Sequence, residues 1–139
     1  MPAFRRLSIL FVLLHLSVSG CAKTGSFEDG QAAENKGDYA TALRLWRPLA
    51  EQGHATAQNS LGVLYAGGQG VPKDAAAAVK WFRLAAEQGY AGGQNNLGMM
   101  YANGQGVPQD SAEADKWFRL AAEQGLAEAQ YNLKVLMKE

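Results

Sequence analysis

Lys80-Trp81-Phe82-Arg83-Leu84-Ala85-Ala86-Glu87-Gln88-Gly89 recurs without a change at 116–125, 36 positions further on. Gly68-Gln69-Gly70-Val71-Pro72 returns at 104–108 with the same offset. A fixed period of this length means one supersecondary unit, copied and stacked, each copy covering the oily face that its neighbour cannot bury alone. Around the copied stretch, Ala78, Trp81, Phe82, Ala85 and Ala86 fall on one side of a helix, and Ala114, Trp117, Phe118, Ala121 and Ala122 repeat them. The segment ahead behaves alike: Ala57, Leu61, Leu64 and Tyr65 share a face, matched by Gly93, Leu97, Met100 and Tyr101. The period is helical throughout, so the fold expected is all-α.

Working outward, the breaks predict seven helices, at 27–36, 38–52, 55–66, 75–88, 91–102, 111–124 and 127–138. Gly53, Gly89 and Gly125 each follow Glu-Gln and suit the left-handed residue that ends a helix. The Gly-Gln-Gly-Val-Pro loops cannot continue one. Asp74 and Asp110 stand where N-caps belong, and Glu113 behind Asp110 completes a capping-box pattern. Gly62 and Gly98 sit mid-helix, where glycine costs about 1 kcal/mol against alanine. Their recurrence predicts a following helix packed hard on that spot. The matching position of the last helix is Lys134, which fits only if nothing packs there, so the stack is expected to end with 126–139 as a capping helix.

The start of the chain reads differently. Arg5 and Arg6 precede an apolar run from Leu7 to Val18, too short to span a bilayer comfortably and suited to a secretory signal at 1–20. The run ends Val18-Ser19-Gly20-Cys21, which resembles the lipobox of bacterial lipoproteins; in those proteins the cysteine carries a diacylglyceryl group and becomes the first residue. Cys21 is therefore the expected lipidation site, ordinary signal cleavage nearby being the other reading. Residues 21–26 form a short polar tether, reaching roughly 20 Å when extended. One cysteine excludes a disulfide framework or a thiolate zinc cluster. With 13 basic and 13 acidic residues, and two of the basic ones in the signal, no cationic excess remains to neutralise phosphates, so no nucleic-acid partner is expected.

Residues 55–86 resemble the Sel-one-like repeat, a branch of the tetratricopeptide-like solenoids. They carry Ala55, Ala57, Gln58, Leu61, Gly62, Tyr65, Gly68, Gly70, Val71, Asp74, Ala78, Trp81, Ala85 and Ala86 of its pattern. Residues 91–122 match nearly as well, with Gly93 in place of the second alanine. Gly30, Ala33, Gly37-Asp38-Tyr39, Ala42 and Trp46 look like a tetratricopeptide-type starter unit. The resemblance implies a right-handed α-solenoid of antiparallel helix pairs: a starter unit at 27–53, repeats at 54–89 and 90–125, and the capping helix. It also implies a surface that holds other proteins, without naming the partner. Some cysteine-rich relatives have been described as β-lactamases, but their paired cysteines are missing here.

The residues offer little to catalysis. His54 is the single histidine beyond the signal and adjoins a helix-ending glycine, where it reads as a loop residue. Asp110, Glu113 and Asp115 read as a cap and a solvated helix face. The loops lack the lysine of a phosphate-binding loop. No catalytic residue, metal site, cofactor or small-molecule substrate is expected. Opposite the packed face of each first helix lie Asn59 and Val63, then Asn95 and Met99, then Tyr131 and Val135. Stacking sets these pairs side by side, and mixed amide and apolar chemistry suits a peptide or helix partner; a solvated wall without a ligand is the alternative. The expected protein is a non-catalytic scaffold or adaptor for other envelope proteins, exported and held by lipid at Cys21. In many Gram-negative lipoproteins an aspartate after the cysteine goes with inner-membrane retention; the resemblance with Ala22 in that place implies, for a Gram-negative host, the outer membrane, facing the periplasm. The rival is an envelope enzyme or cell-wall-binding protein acting on β-lactams or peptidoglycan.

Overall fold

The computed structural model describes residues 25–138. Its helices are α1 (Phe27–Asn35), α2 (Tyr39–Glu51), α3 (Ala55–Gly67), α4 (Ala75–Glu87), α5 (Ala91–Asn103), α6 (Ser111–Glu123) and α7 (Ala127–Leu136). No strand occurs among the described residues. Every helix lies within two residues of its expected bounds. The signal at 1–20, Cys21 and most of the tether fall outside the described residues.

Local chemistry sets the helix ends. Asp38, Asp74 and Asp110 accept bonds from backbone N–H groups at the start of α2, α4 and α6. Ser26, expected in the tether, instead begins α1 with a reciprocal capping box to Asp29. The second helices end alike: Gly53, Gly89 and Gly125 take positive φ, and the N–H of Tyr90 reaches back to the carbonyl of Ala85 at 3.1 Å. Pro48 removes one backbone bond, yet α2 runs on to Glu51.

Thr41 lowers the Asp38 carboxyl below the ordinary carboxylate range, through a side-chain bond first and then its backbone N–H. A depressed carboxylate stabilises the folded state above its unfolded pKa, and the contribution is lost as pH falls through its folded one. Acidifying the protein through the carboxylate range should therefore loosen α2. Asp38→Asn should flatten that part of a circular-dichroism pH titration, and an unchanged titration would contradict the assignment.

Consecutive helices pack against each other along the whole chain, and α5 also touches α3 and α7 directly. The odd-numbered helices from α3 onward thus line one wall of a solenoid. Two apolar clusters fill the interior. One joins α1 to α3 around Trp46, Leu61 and Leu64; the next joins α4 to α6 around Phe82, Leu97 and Trp117. Trp117 is buried as expected, while Trp81 is half-buried against the first cluster.

Each unit closes with the same knob. A Cβ built on Gly62 would stand 2.5 Å from the Phe82 ring, and one on Gly98 would stand 2.8 Å from Phe118. In the first unit Trp46 presses on Gly30 in the same way. Glycine at these positions exchanges helix propensity for a ring seated directly on backbone. Lys134, the counterpart in α7, is exposed.

Glutamines knit the units together. The amide of Gln58 donates to the carbonyl of Ala50 near the end of α2 (3.1 Å), while its oxygen accepts from Gln88 of α4 (2.8 Å). Gln94 repeats this with Ala86 (3.3 Å) and Gln124 (2.8 Å). The glutamine that closes α4 or α6 and the buried glutamine of the same unit's first helix are therefore one device, tied to the carbonyl end of the preceding second helix. Gln94→Ala should cost about 1–3 kcal/mol, because it removes two hydrogen bonds at about 0.5–1.5 kcal/mol each; the Ala86 carbonyl keeps the Gly89 N–H and the Gln124 amide keeps the Gly89 carbonyl. Urea unfolding measures this, and a loss within error would mean that water replaces the side chain.

Candidate functional site

The wall formed by α3, α5 and α7 carries the exposed apolar side chains Val63, Met99, Tyr131 and Val135, with Tyr131 67% exposed. Four of the six residues expected to face a partner thus stand open on this wall.

The two asparagines behave differently. Asn95 is 2% exposed, and its oxygen accepts the amide N–H of Asn132 from α7 at 2.9 Å. Asn59 is half-buried and accepts from Asn96 of α5, also at 2.9 Å. These pairs tie successive first helices together, so the expectation that Asn95 lies open on the wall is corrected. A helical wheel fixes the direction of a side chain around its own axis, not what the next repeat places beside it. Tyr131 holds the equivalent position in α7 and is exposed.

Two shallow grooves flank Met99. The one between α3 and α5 encloses about 330 Å³ and that between α5 and α7 about 160 Å³. Each suits one or two side chains better than a small molecule buried whole. Every residue lining the second groove is the counterpart, 36 positions on, of one lining the first. Val63 becomes Met99, Phe82 becomes Phe118, Asn96 becomes Asn132 and Met99 becomes Val135. No lining residue of either groove is charged. Sequence reasoning missed Phe82, Phe118, Asn96 and Asn132 as groove residues, since the two rings read as core and the two amides fall outside the exposed stripe. The 36-residue repetition of all four was the available signal.

The polar residues weighed for chemistry have structural partners. His54 caps α3, its Nδ1 accepting the N–H of Ala57 at 3.2 Å, and its ring stacks on Phe27. Glu113 accepts from the Trp117 indole at 3.1 Å, and Asp115 pairs with Arg119 at 2.6 Å, as expected of a solvated helix face. Arg47 and Arg83 donate to the hydroxyls of Tyr65 and Tyr101 across successive units, at 2.9 and 2.7 Å. Among the described residues no group of three His, Cys, Asp or Glu could hold a metal, and no helix is long and apolar enough to cross a membrane.

Similarity to known proteins follows the same units. The Sel1 repeat profile matches residues 19–54, 55–90 and 91–126, so the first unit, read from sequence as a tetratricopeptide-type starter, matches the same repeat as the other two. A Sel1 repeat protein from Oxalobacter formigenes is 38% identical, with a TM-score of 0.76 over 80% of this chain and 46% of its own. A protective antigen present in uropathogenic Escherichia coli strains, displaying an SLR fold, is 37% identical at a TM-score of 0.63, over 76% of this chain and 27% of its own. The chain therefore spans less than half the length of those two proteins. Cysteine rich protein B of Helicobacter pylori shares the fold at 20% identity, with a TM-score of 0.61 over 76% of this chain and 95% of its own. No curated protein matches at a significant level. With three tandem matches covering most of its length, and the copied helix pairs to account for them, the chain belongs to the Sel1 repeat family.

Proposed function

We propose that the protein is a non-catalytic scaffold that docks other proteins on the wall of α3, α5 and α7. Sel1 repeat proteins generally act as protein–protein interaction scaffolds. One observation carries the reading here: uncharged apolar side chains stand exposed at one-repeat intervals beside two equivalent grooves. Apolar surface held open on a rigid stack is stabilised when a partner covers it. The lipobox-like Val18-Ser19-Gly20-Cys21 supports a lipid anchor in the bacterial cell envelope, and Ala22 after it supports the periplasmic face of the outer membrane.

Crosslinking in cells followed by pull-down tests the docking. Val63→Asp with Met99→Asp should reduce capture of the wild-type partners at least tenfold while helicity is unchanged, since both side chains are more than a third exposed. Undiminished capture would remove the wall from the account. Mass spectrometry of the exported protein tests the anchor, with the expected product beginning at a diacylated Cys21. Clear hydrolysis of nitrocefin by the purified protein would favour an enzyme over a scaffold.

A further inference from the structure

We propose that the protein pairs back to back with a second copy of itself through the outer face of its second helices, α4 of one protomer lying antiparallel on α6 of its partner. The pairing uses the side of the molecule opposite the wall of α3, α5 and α7, and it does not rest on the docking reading above.

Two copied stripes carry the inference. On α4, Lys80, Leu84 and Glu87 stand at i, i+4 and i+7, all exposed, on the face turned away from buried Ala78, Phe82 and Ala85. Lys116, Leu120 and Glu123 repeat them on α6 and are exposed as well. Leu84 is 45% exposed and Leu120 38%, so the centre of each stripe is an open apolar side chain. The same places on α2 hold Arg44, Pro48 and Glu51, which keeps the order basic, apolar, acidic. Among the described residues Lys80, Glu87 and Glu123 enter no ion pair, and Lys116 enters only a 3.6 Å one with Glu113.

That order selects the geometry. The midpoint between the lysine and the glutamate of a stripe falls within about 1 Å of its leucine along the helix axis. Laid parallel, two such stripes set lysine on lysine and glutamate on glutamate. Laid antiparallel, they set lysine on glutamate at both ends and leucine on leucine between. Consecutive helices of the stack are antiparallel, so α4 and α6 run the same way within one chain. A two-fold axis passing between them supplies the antiparallel match twice, because the spacing of the two helices is the same in both copies. Lys80 then meets Glu123 of the partner subunit, Glu87 meets the partner's Lys116, and Leu84 packs on the partner's Leu120. An anionic membrane would meet the glutamates together with the lysines, whereas a second copy already carries the complementary alternation.

Two stripes, each about 10 Å long, are small beside the roughly 800 Å² per partner of a standard interface. Exposed ion pairs also contribute little singly and weaken with salt. The dimer is therefore weak, reversible and salt-sensitive.

Sedimentation of the purified protein over a range of concentrations and salt tests this. A monomer–dimer equilibrium that shifts to monomer at high salt is expected. Lys80→Glu should weaken association about tenfold or more, since it creates two like-charge contacts across the axis. Adding Glu123→Lys to the same chain should restore association, because the exchanged charges meet again in the partner. Adding Glu87→Lys instead should not. Circular dichroism should show the same helicity in all three variants. Val63→Asp with Met99→Asp should leave association unchanged, which separates this face from the docking wall. A monomer throughout, absence of rescue by Glu123→Lys, rescue by Glu87→Lys, or a Lys80→Glu effect confined to binding of anionic vesicles would each overturn the proposal. Loss of partner capture alone would remove the docking wall and leave the dimer standing.

Discussion

Trp46→Ala will lower stability by about 3–5 kcal/mol, a large part of what a domain of this size possesses. Trp46 is fully buried; its ring stacks on Phe27 with centroids 5.4 Å apart, and its indole N–H donates to the Phe27 carbonyl at 3.0 Å. It also presses on the backbone at Gly30. Truncation therefore opens a cavity, removes the indole bond to Phe27 and loosens α1 from α2 in one step. Because each repeat contacts mainly its neighbours, the loss should be uneven. Hydrogen exchange should show α1 and α2 opening first, with α5, α6 and α7 retaining protection. A uniform loss across all seven helices would show that the stack unfolds as a single unit.

Gly106→Ala should cost about 2–5 kcal/mol. The residue lies in the left-handed region at φ +70°, where a Cβ costs roughly 1–2 kcal/mol. A Cβ built on it would meet the Ala75 carbonyl at the start of α4, so a methyl group there runs into backbone, which adds about 1–3 kcal/mol of overpacking. Gly70 docks on Tyr39 and Ala40 in the same way, so each Gly-Gln-Gly-Val-Pro loop locks its own unit onto the preceding second helix. Gly89→Ala is the matched control. It has φ +85° with nothing within 4 Å, and should lose only the conformational part. Equal costs for the two substitutions, read from paired urea curves, would show that the loop contact contributes nothing.

How much was legible in the chain depended on the range of the interaction. Aspartates before α4 and α6, and glycines after α2, α4 and α6, act within one turn of helix, so the helix bounds followed to within two residues. Gly62 and Gly98 also spoke plainly, since a mid-helix glycine repeated at one period implies a close approach. Trp46 was harder. It occupies the place of Phe82 and Phe118, but a shorter loop in the first unit shifts Gly30 out of the 36-residue register and hides the shared knob.

The sequence by itself determined the all-α repeat architecture, because its periodicity and caps are set by neighbours along the chain. Only the tertiary structure decided which face could receive a partner. Asn59, Asn95 and Tyr131 hold one position in three copies, yet the first two bond to the following unit and Tyr131 stands 67% exposed. The grooves beside Met99 exist because α3, α5 and α7 touch in places without closing the space between them. That spacing follows from how rings, glycines and loop contacts seat whole units against each other, an outcome of side chains far apart in sequence that no single helix encodes.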